Sequence, residues 1–334
     1  MKPIPTGYVR ALVRTLLSAA ALALSVPASA AEPPLQVGAA KLASSASLFV
    51  AKEEGFFDQA GVPVDLKLFD AAQTIAVAVV SGDLDIGVGG LTAGFYSLAG
   101  KGALKIIGAS TREEPGYKMN ALVVSNKAFK EGLTGPEKLS GRSLAITQVG
   151  STQHYVVGML SEKYQFPMKS VRLIPVQSLS NISSTLRGNG ADAAILGGSV
   201  AVPLAATNGG HIVAWLDAPW QVNVVFSGAK QLEQKRDALK RFMVGYRKGV
   251  QAYYDVFVSR TPPADAAARR ERYLRAVSKY TSVPVADLAK LDMPYIDPNA
   301  HVLSADVARQ VEWHKQQGLL DKNVDARQIL NESF

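Results

Sequence analysis

From residue 35 to about residue 215 the chain alternates short apolar runs with helical segments that stop at glycine, and this alternation constrains the fold more than any other feature. Residues 35–40, 62–68, 84–88 and 104–109 read as strands; 48–54, 72–80 and 92–99 read as helices. Val62, Val64, Leu66 and Leu68 alternate with polar or turn-forming neighbours, the period-2 signature of a strand with one wet face. Gly55 and the pair Ser81-Gly82 sit where helices must end. A strand followed by a helix and then another strand implies parallel pairing, with helices covering both sheet faces.

The pattern then restarts. Residues 120–125 read as a strand, 143–147, 171–176 and 193–196 as strands, and 151–164, 179–187 and 200–207 as helices. Residues 211–216 and 221–226 read as two further strands. Beyond them the chain reads as helical over about 231–258, 264–281, 285–291 and 304–317, punctuated by Pro262, Pro263, Pro284, Pro294 and Pro298. Ser81-Gly82-Asp83-Leu84-Asp85-Ile86 is echoed by Gly188-Asn189-Gly190-Ala191-Asp192-Ala193, with glycine pairs following at 89–90 and 197–198. Asp85 and Asp192 read as strand-opening turn residues rather than as catalytic acids. The expected organisation is two α/β lobes: residues 33–121 with 227–334 as lobe one, and 122–226 as lobe two. Extended crossings are expected near 120–125 and 223–228.

The first thirty residues read as an address. Lys2, Arg10 and Arg14 precede an uncharged apolar run over 15–26; Pro27 and Ala28-Ser29-Ala30 then supply a small-x-small cleavage pattern. The run is short for a membrane span. Residues 1–30 are therefore expected to be a signal peptide, with cleavage after Ala30 or Ala31 and a periplasmic mature protein. The chain has no cysteine, so disulfides, thiolate metal sites, thiol nucleophiles and a lipoprotein anchor are excluded. Net charge is +8, but the basic residues are scattered rather than clustered into a nucleic-acid-binding patch. The four histidines form no His-Glu-x-x-His motif, and Gly197-Gly198-Ser199-Val200-Ala201 is not a nucleophile elbow. No catalytic residue, metal or cofactor is expected, and the chain is read as a monomer and not as an enzyme.

One set of segments resembles a known family. The segments are Leu48-Phe49-Val50-Ala51-Lys52-Glu53-Glu54-Gly55-Phe56-Phe57 and Gly61-Val62-Pro63-Val64, then Ser81 to Gly87, Lys138 to Ile146, Gly150-Ser151-Thr152 and Ala191-Asp192-Ala193-Ala194. In order and spacing they resemble the nitrate/taurine/aliphatic-sulfonate class of periplasmic substrate-binding proteins of ABC importers. The resemblance implies a two-lobed type II periplasmic binding protein fold, each lobe a mostly parallel sheet with helices on both faces, and a helical C-terminal tail. It also implies a small polar or anionic ligand, such as a sulfonate or carboxylate, captured between the lobes and delivered to a membrane permease. A ligand-sensing receptor, or a pyrimidine-precursor binder or enzyme on the same fold, are the alternatives; the enzymes of that group carry a cysteine-rich motif that this chain lacks.

Ligands of open α/β sheets bind beyond the carboxyl ends of strands, where helix N-termini offer free N–H groups. The junctions of this chain gather small hydroxyl residues. The candidate ligand-binding residues are Lys41, Ser44, Ser45, Thr74, Thr92, Ser151, Thr152, His154, Gly198 and Ser199. Each hydroxyl reads equally as a helix cap, which is compatible with ligand contact because a cap sits at the junction. Lys41 is the cation expected to neutralise an anionic ligand, and His154 a first-turn donor. Trp215 and Trp220 read as packing residues or, alternatively, as walls of the cleft. Phe56 and Phe57 are expected in the core.

Overall fold

The structure, a computed structural model, describes residues 32–331 together with 333 and 334. The signal peptide expected over residues 1–30 lies outside the described residues. Twelve strands are seen among the described residues: β1 (Leu35–Ala40), β2 (Val64–Phe69), β3 (Ile86–Gly90), β4 (Leu104–Ala109), β5 (Arg112–Glu113), β6 (Asn120–Val124), β7 (Ser143–Ile146), β8 (Arg172–Pro175), β9 (Ala193–Gly197), β10 (His211–Trp215), β11 (Trp220–Gln221) and β12 (Asn223–Gly228). The α-helices are α1 (Ala46–Glu53), α2 (Phe56–Gln59), α3 (Ala72–Ser81), α4 (Ala93–Gly100), α5 (Asn126–Lys130), α6 (Thr152–Tyr164) and α7 (Leu179–Arg187). They continue with α8 (Gly198–Ala206), α9 (Ala229–Gln234), α10 (Arg236–Phe257), α11 (Ala266–Thr281), α12 (Val285–Leu288) and α13 (Ser304–Gln316).

Two five-stranded sheets share one topology. The first has the order β2-β1-β3-β12-β4, and the second, taken from its opposite edge, β8-β7-β9-β6-β10. In each, four strands run one way and the strand in fourth place runs against them. Central strands β3 and β7 are buried throughout, because helices cover both of their faces. Edge strands β2 and β8 are only partly covered and keep the polar residues that read as a wet face.

Side chains alternate between the two faces as strand geometry demands. On the first sheet, Val225 joins a core with Leu48, Phe242 and Met243, while Val224 and Phe226 join Ile75 and Phe95 on the other face. On the second, Leu144 and Ile146 pack with Tyr155 and Val156, and Ala145 packs with Ile182 and Leu186. Phe57 is buried and stacks on Phe242 at 4.9 Å, whereas Phe56 is only half-buried. Close helix packing has a local cause at Gly249 of α10, where an added Cβ would lie 2.3 Å from the Ala51 Cβ and 2.8 Å from the Ser47 carbonyl oxygen.

The stretches expected as crossings are themselves strands. Residues 120–124 lie inside the second sheet and 223–228 inside the first. Their apolar residues are buried, which a solvent-bridging crossing does not allow. The sheets are joined instead by residues 110–119 and 216–222, whose short strands β5 and β11 pair antiparallel as a two-chain ribbon. Helix α13 clasps this ribbon. Its buried Asp306 accepts hydrogen bonds from the Gln221 backbone N–H at 2.7 Å, from Gln310 Nε2 at 2.7 Å and from the Tyr155 hydroxyl of α6 at 3.2 Å. Gln310 in turn accepts from the Tyr96 hydroxyl of α4 at 3.1 Å, so one helix holds groups packed on each sheet.

The sequence repeat has a structural counterpart. The Asp85 carboxylate accepts the Gln36 backbone N–H at 2.9 Å, and the Asp192 carboxylate accepts the Ser143 backbone N–H at 2.7 Å. Each aspartate ties the start of one parallel strand to the start of the next. Both are strand-opening residues as expected, and their oxygens are engaged by the sheet.

Candidate functional site

The carboxyl ends of β1, β3, β7 and β9 face one cavity of about 140 Å³. Sequence creates the opening: parallel strands end there in small residues (Ala40, Gly90 and Gly197), so nothing from the strand ends fills the space. Helices α3, α4, α6 and α8 begin around it. Thr92 caps α4, its Oγ1 accepting the Phe95 N–H at 3.0 Å while its hydroxyl donates to Gln73 Oε1 at 2.8 Å. Ser151 caps α6 through the His154 N–H. The Ala93 N–H of α4 is taken by the Gly150 carbonyl at 2.8 Å, which joins the rim of the first sheet to the rim of the second.

Of the ten expected ligand residues, Ser44, Thr92, Ser151, Thr152, Gly198 and Ser199 line this cavity. The other four do not. Lys41 is exposed and off the wall. Ser45 is buried and does not line it. Thr74 is exposed, its hydroxyl donating to the Ala71 carbonyl at 2.6 Å. His154 is turned into the protein, where Nδ1 accepts the Gly150 N–H at 3.0 Å and the ring meets Trp313 edge-on at 5.2 Å. Burial holds the His154 pKa below its ordinary value.

The structure adds wall residues that strand and helix patterns do not single out. Asn120, Asn223, Gln73, Gln148 and Gln153 bring side-chain amides, and Trp220 is an apolar wall buried to 2% exposure. The charged residues on the wall, among the described residues, are Asp70 and Asp292; no lysine or arginine lines it. Asp292 faces Lys118 at 3.5 Å across the rim, and both side chains are exposed. Behind Asn120 lies Glu113, fully buried on β5. It accepts from Asn120 Nδ2 at 2.7 Å and from the backbone N–H groups of Met119 and Asn120 at 3.3 and 3.4 Å. Burial, with a smaller push from the Asp217 charge, raises its pKa to about 7 against those hydrogen bonds.

Signals for the missed amides were present but weak. Asn120 and Asn223 each open a strand, a position where asparagine is uncommon. Which residue stands opposite each of them depends on register, and one chain does not display its register.

No group of three or more histidine, aspartate or glutamate side chains among the described residues could hold a metal ion, and no helix among them is long and apolar enough to cross a membrane.

Comparison with known proteins fits this geometry. The family model described as NMT1/THI5 like matches residues 43–256, which run from the first strand–helix junction to the end of α10. The chain belongs to the NMT1/THI5-like family. No curated protein sequence matches it. Among solved structures, a Candida albicans gene product described as showing the generic periplasmic binding protein fold aligns with a TM-score of 0.70 at 15% identity, covering 90% of this chain and 97% of that one. The alkanesulfonate-binding protein SsuA of Xanthomonas axonopodis pv. citri, bound to MOPS, gives 0.69 at 16% identity over 91% and 100%. The nitrate-binding protein NrtA of Synechocystis PCC 6803 gives 0.67 at 14% identity over 89% and 86%. This member of the NMT1/THI5-like family therefore has the periplasmic binding protein fold.

Proposed function

We propose that the chain is the solute-binding component of an ABC importer, exported by its first thirty residues to the periplasm, where it hands a small polar ligand to a membrane permease. One observation carries this reading: a single cavity lies at the strand carboxyl ends of two sheets of identical topology that are joined by a two-chain ribbon. Such a ribbon can bend while each sheet stays rigid. Ligand contacts made from both rims would then favour a closed arrangement over an open one. The names of the structural relatives, a sulfonate binder and a nitrate binder, support the class of activity.

The division into two lobes belongs to this proposal, with the boundaries moved from 121/122 and 226/227 to the joining segments 110–119 and 216–222, because residues 223–226 pair within the first sheet and 120–121 within the second. The monomeric state and the absence of catalysis belong to it as well. The wall offers hydroxyls and amides but no nucleophile–base pair, which supports binding over turnover.

The test uses the protein after removal of residues 1–30. Small molecules carried through purification are extracted and identified by mass spectrometry. Small-angle scattering is then measured for the stripped and the reloaded protein. A smaller radius of gyration on reloading, with the ligand recovered chemically unchanged, is the expected result. Recovery of a converted product, or no change in radius with a bound ligand, overturns the reading.

A further inference from the structure

The floor of the cavity is built twice. Asn120, the first residue of β6, pairs in register with Gly197, the last residue of β9; Asn223, the first residue of β12, pairs with Gly90, the last residue of β3. Both asparagines are half-buried and both line the cavity. The amide nitrogens of both are held by the same ribbon segment: Asn120 Nδ2 donates to Glu113 Oε2 at 2.7 Å, and Asn223 Nδ2 donates to Thr111 Oγ1 at 2.8 Å. Held this way, each amide leaves its oxygen as the free end. Each Oδ1 lies over its paired glycine, 3.9 Å from where a Cβ on Gly197 would stand and 3.6 Å from the corresponding point on Gly90. With no side chain on either glycine, each oxygen stays open to the cavity.

We propose that Asn120 and Asn223 are the specificity-determining pair of the cleft, and that they select an uncharged ligand carrying N–H donors in place of a sulfonate, nitrate or carboxylate. This deepens, and rests on, the solute-binding reading. An oxoanion has only acceptors to offer and would set them against two carbonyl-type oxygens. Asp70 on the wall repels an anion further; Asp292 is met by Lys118 at 3.5 Å across the rim, and among the described residues no basic side chain lines the wall itself. The same cavity wall also supplies donors. Gln73 Oε1 is occupied by the Thr92 hydroxyl and Gln153 Oε1 by the Thr147 hydroxyl at 3.1 Å, leaving both Nε2 groups for acceptor atoms of the ligand. Amides, sulfonamides and amino-substituted heterocycles present that combination. Glu113 acts through Asn120 as a positioning residue.

The experiment measures calorimetric binding of matched pairs that differ only in this chemistry: nicotinamide and nicotinate, benzenesulfonamide and benzenesulfonate, propanamide and propanoate. An acceptor-only isostere leaves these oxygens unpaired, which should weaken its binding by about 10²-fold. The expected result is binding of at least one uncharged member with its anionic twin weaker by that order, and loss of the preference in Asn120→Leu and Asn223→Leu. Should either variant fail to fold, Gly197→Val tests the same point: no other group lies near that position, and its side chain would cover the Asn120 oxygen. Tighter binding of any anionic twin, or an unchanged preference in the variants, overturns the proposed class alone. So does a thermal shift produced by a metabolite extract when no member of the panel binds. If neither the panel nor the extract shifts the midpoint, the solute-binding reading falls with it.

Discussion

The two sheets solve the same backbone problem with exchanged side-chain chemistry. In the first, Asp85 ties its strands together and places its second oxygen 2.7 Å from Lys235 Nζ, a full ion pair. In the second, Asp192 binds the Ser143 N–H and the Ser143 hydroxyl through one oxygen, both at 2.7 Å, and pairs with no cation among the described residues. The asparagines reverse the pattern. The second-sheet Asn120 is held by a carboxylate, Glu113, and the first-sheet Asn223 by a neutral hydroxyl, Thr111. The positions of donors and acceptors are held constant while the kind of group that supplies them changes. Backbone geometry therefore sets where a partner must stand, and hydrogen-bond capacity, rather than charge, sets what it must be.

The sharpest way to break this comparison is to remove the aspartates. Asp85→Ala strands the Lys235 ammonium and the Gln36 N–H together, and should cost about 3–5 kcal/mol, as loss of one partner from a buried pair does. The Lys235 end is nearly half exposed, which places the value toward the lower figure. Asp192→Ala frees only neutral donors and should cost about 1–3 kcal/mol. Urea unfolding of both variants measures the difference; an Asp192 variant that loses more than the Asp85 variant means charge is not what separates the sheets.

Titration separates two buried groups next. Glu113, pushed up to about 7 chiefly by burial, prefers to be protonated in the folded chain, against an ordinary value of 4.5. Stability from it is present below 4.5 and lost as pH rises through about 7. His314 is fully buried, and neither ring nitrogen has a hydrogen-bond partner among the described residues. Burial, with the nearby His154, pushes it down to about 4. The folded chain holds it neutral, so stability falls as pH drops from 6.5 toward 4. Each change is on the order of 3 kcal/mol. Glu113→Gln should flatten the high-pH decline and leave the acid decline in place, as read by thermal midpoints across the range. A decline unchanged in that variant assigns it to another group.

Helix-packing glycines give a smaller contrast. At Gly249 an added methyl meets the Ser47 backbone oxygen, which cannot step aside, so Gly249→Ala should cost about 1–3 kcal/mol. At Gly158 of α6 the obstacle is the Trp313 ring, at 2.4 Å. A side chain can rotate, so Gly158→Ala should cost less; chemical denaturation that ranks them the other way would show that Trp313 is locked. The smallest effect belongs to the exposed Lys118–Asp292 pair at the rim. Asp292→Asn should change stability by less than about 1 kcal/mol, and the change should vanish in high salt.

Reading the chain by pattern placed nearly every strand and helix, because apolar periodicity and glycine stops are local signals. Residues 120–125 show the limit. Their strand character was legible, but their place inside a sheet rather than in a crossing was not, because a buried strand and an extended connection look alike until neighbours are known. The ribbon strands β5 and β11, of two residues each, carry no periodicity at all. Helix-start hydroxyls such as Thr92 and Ser151 were legible as wall residues because capping fixes their place at the junction. Lys41 and His154 occupy the same junctions, yet one faces solvent and the other turns inward to Gly150 and Trp313.

The sequence by itself determined the α/β alternation, the near-repeat and the strand-opening role of both aspartates, since each depends on residues close together along the chain. Only the tertiary structure decided that Asn120 meets Gly197 and Asn223 meets Gly90, that one ribbon segment holds both amides, and that no basic side chain among the described residues lines the wall. The physical reason is register. Which atoms face a cavity depends on pairings between segments distant in sequence, and on side-chain directions that a one-residue slip would reverse.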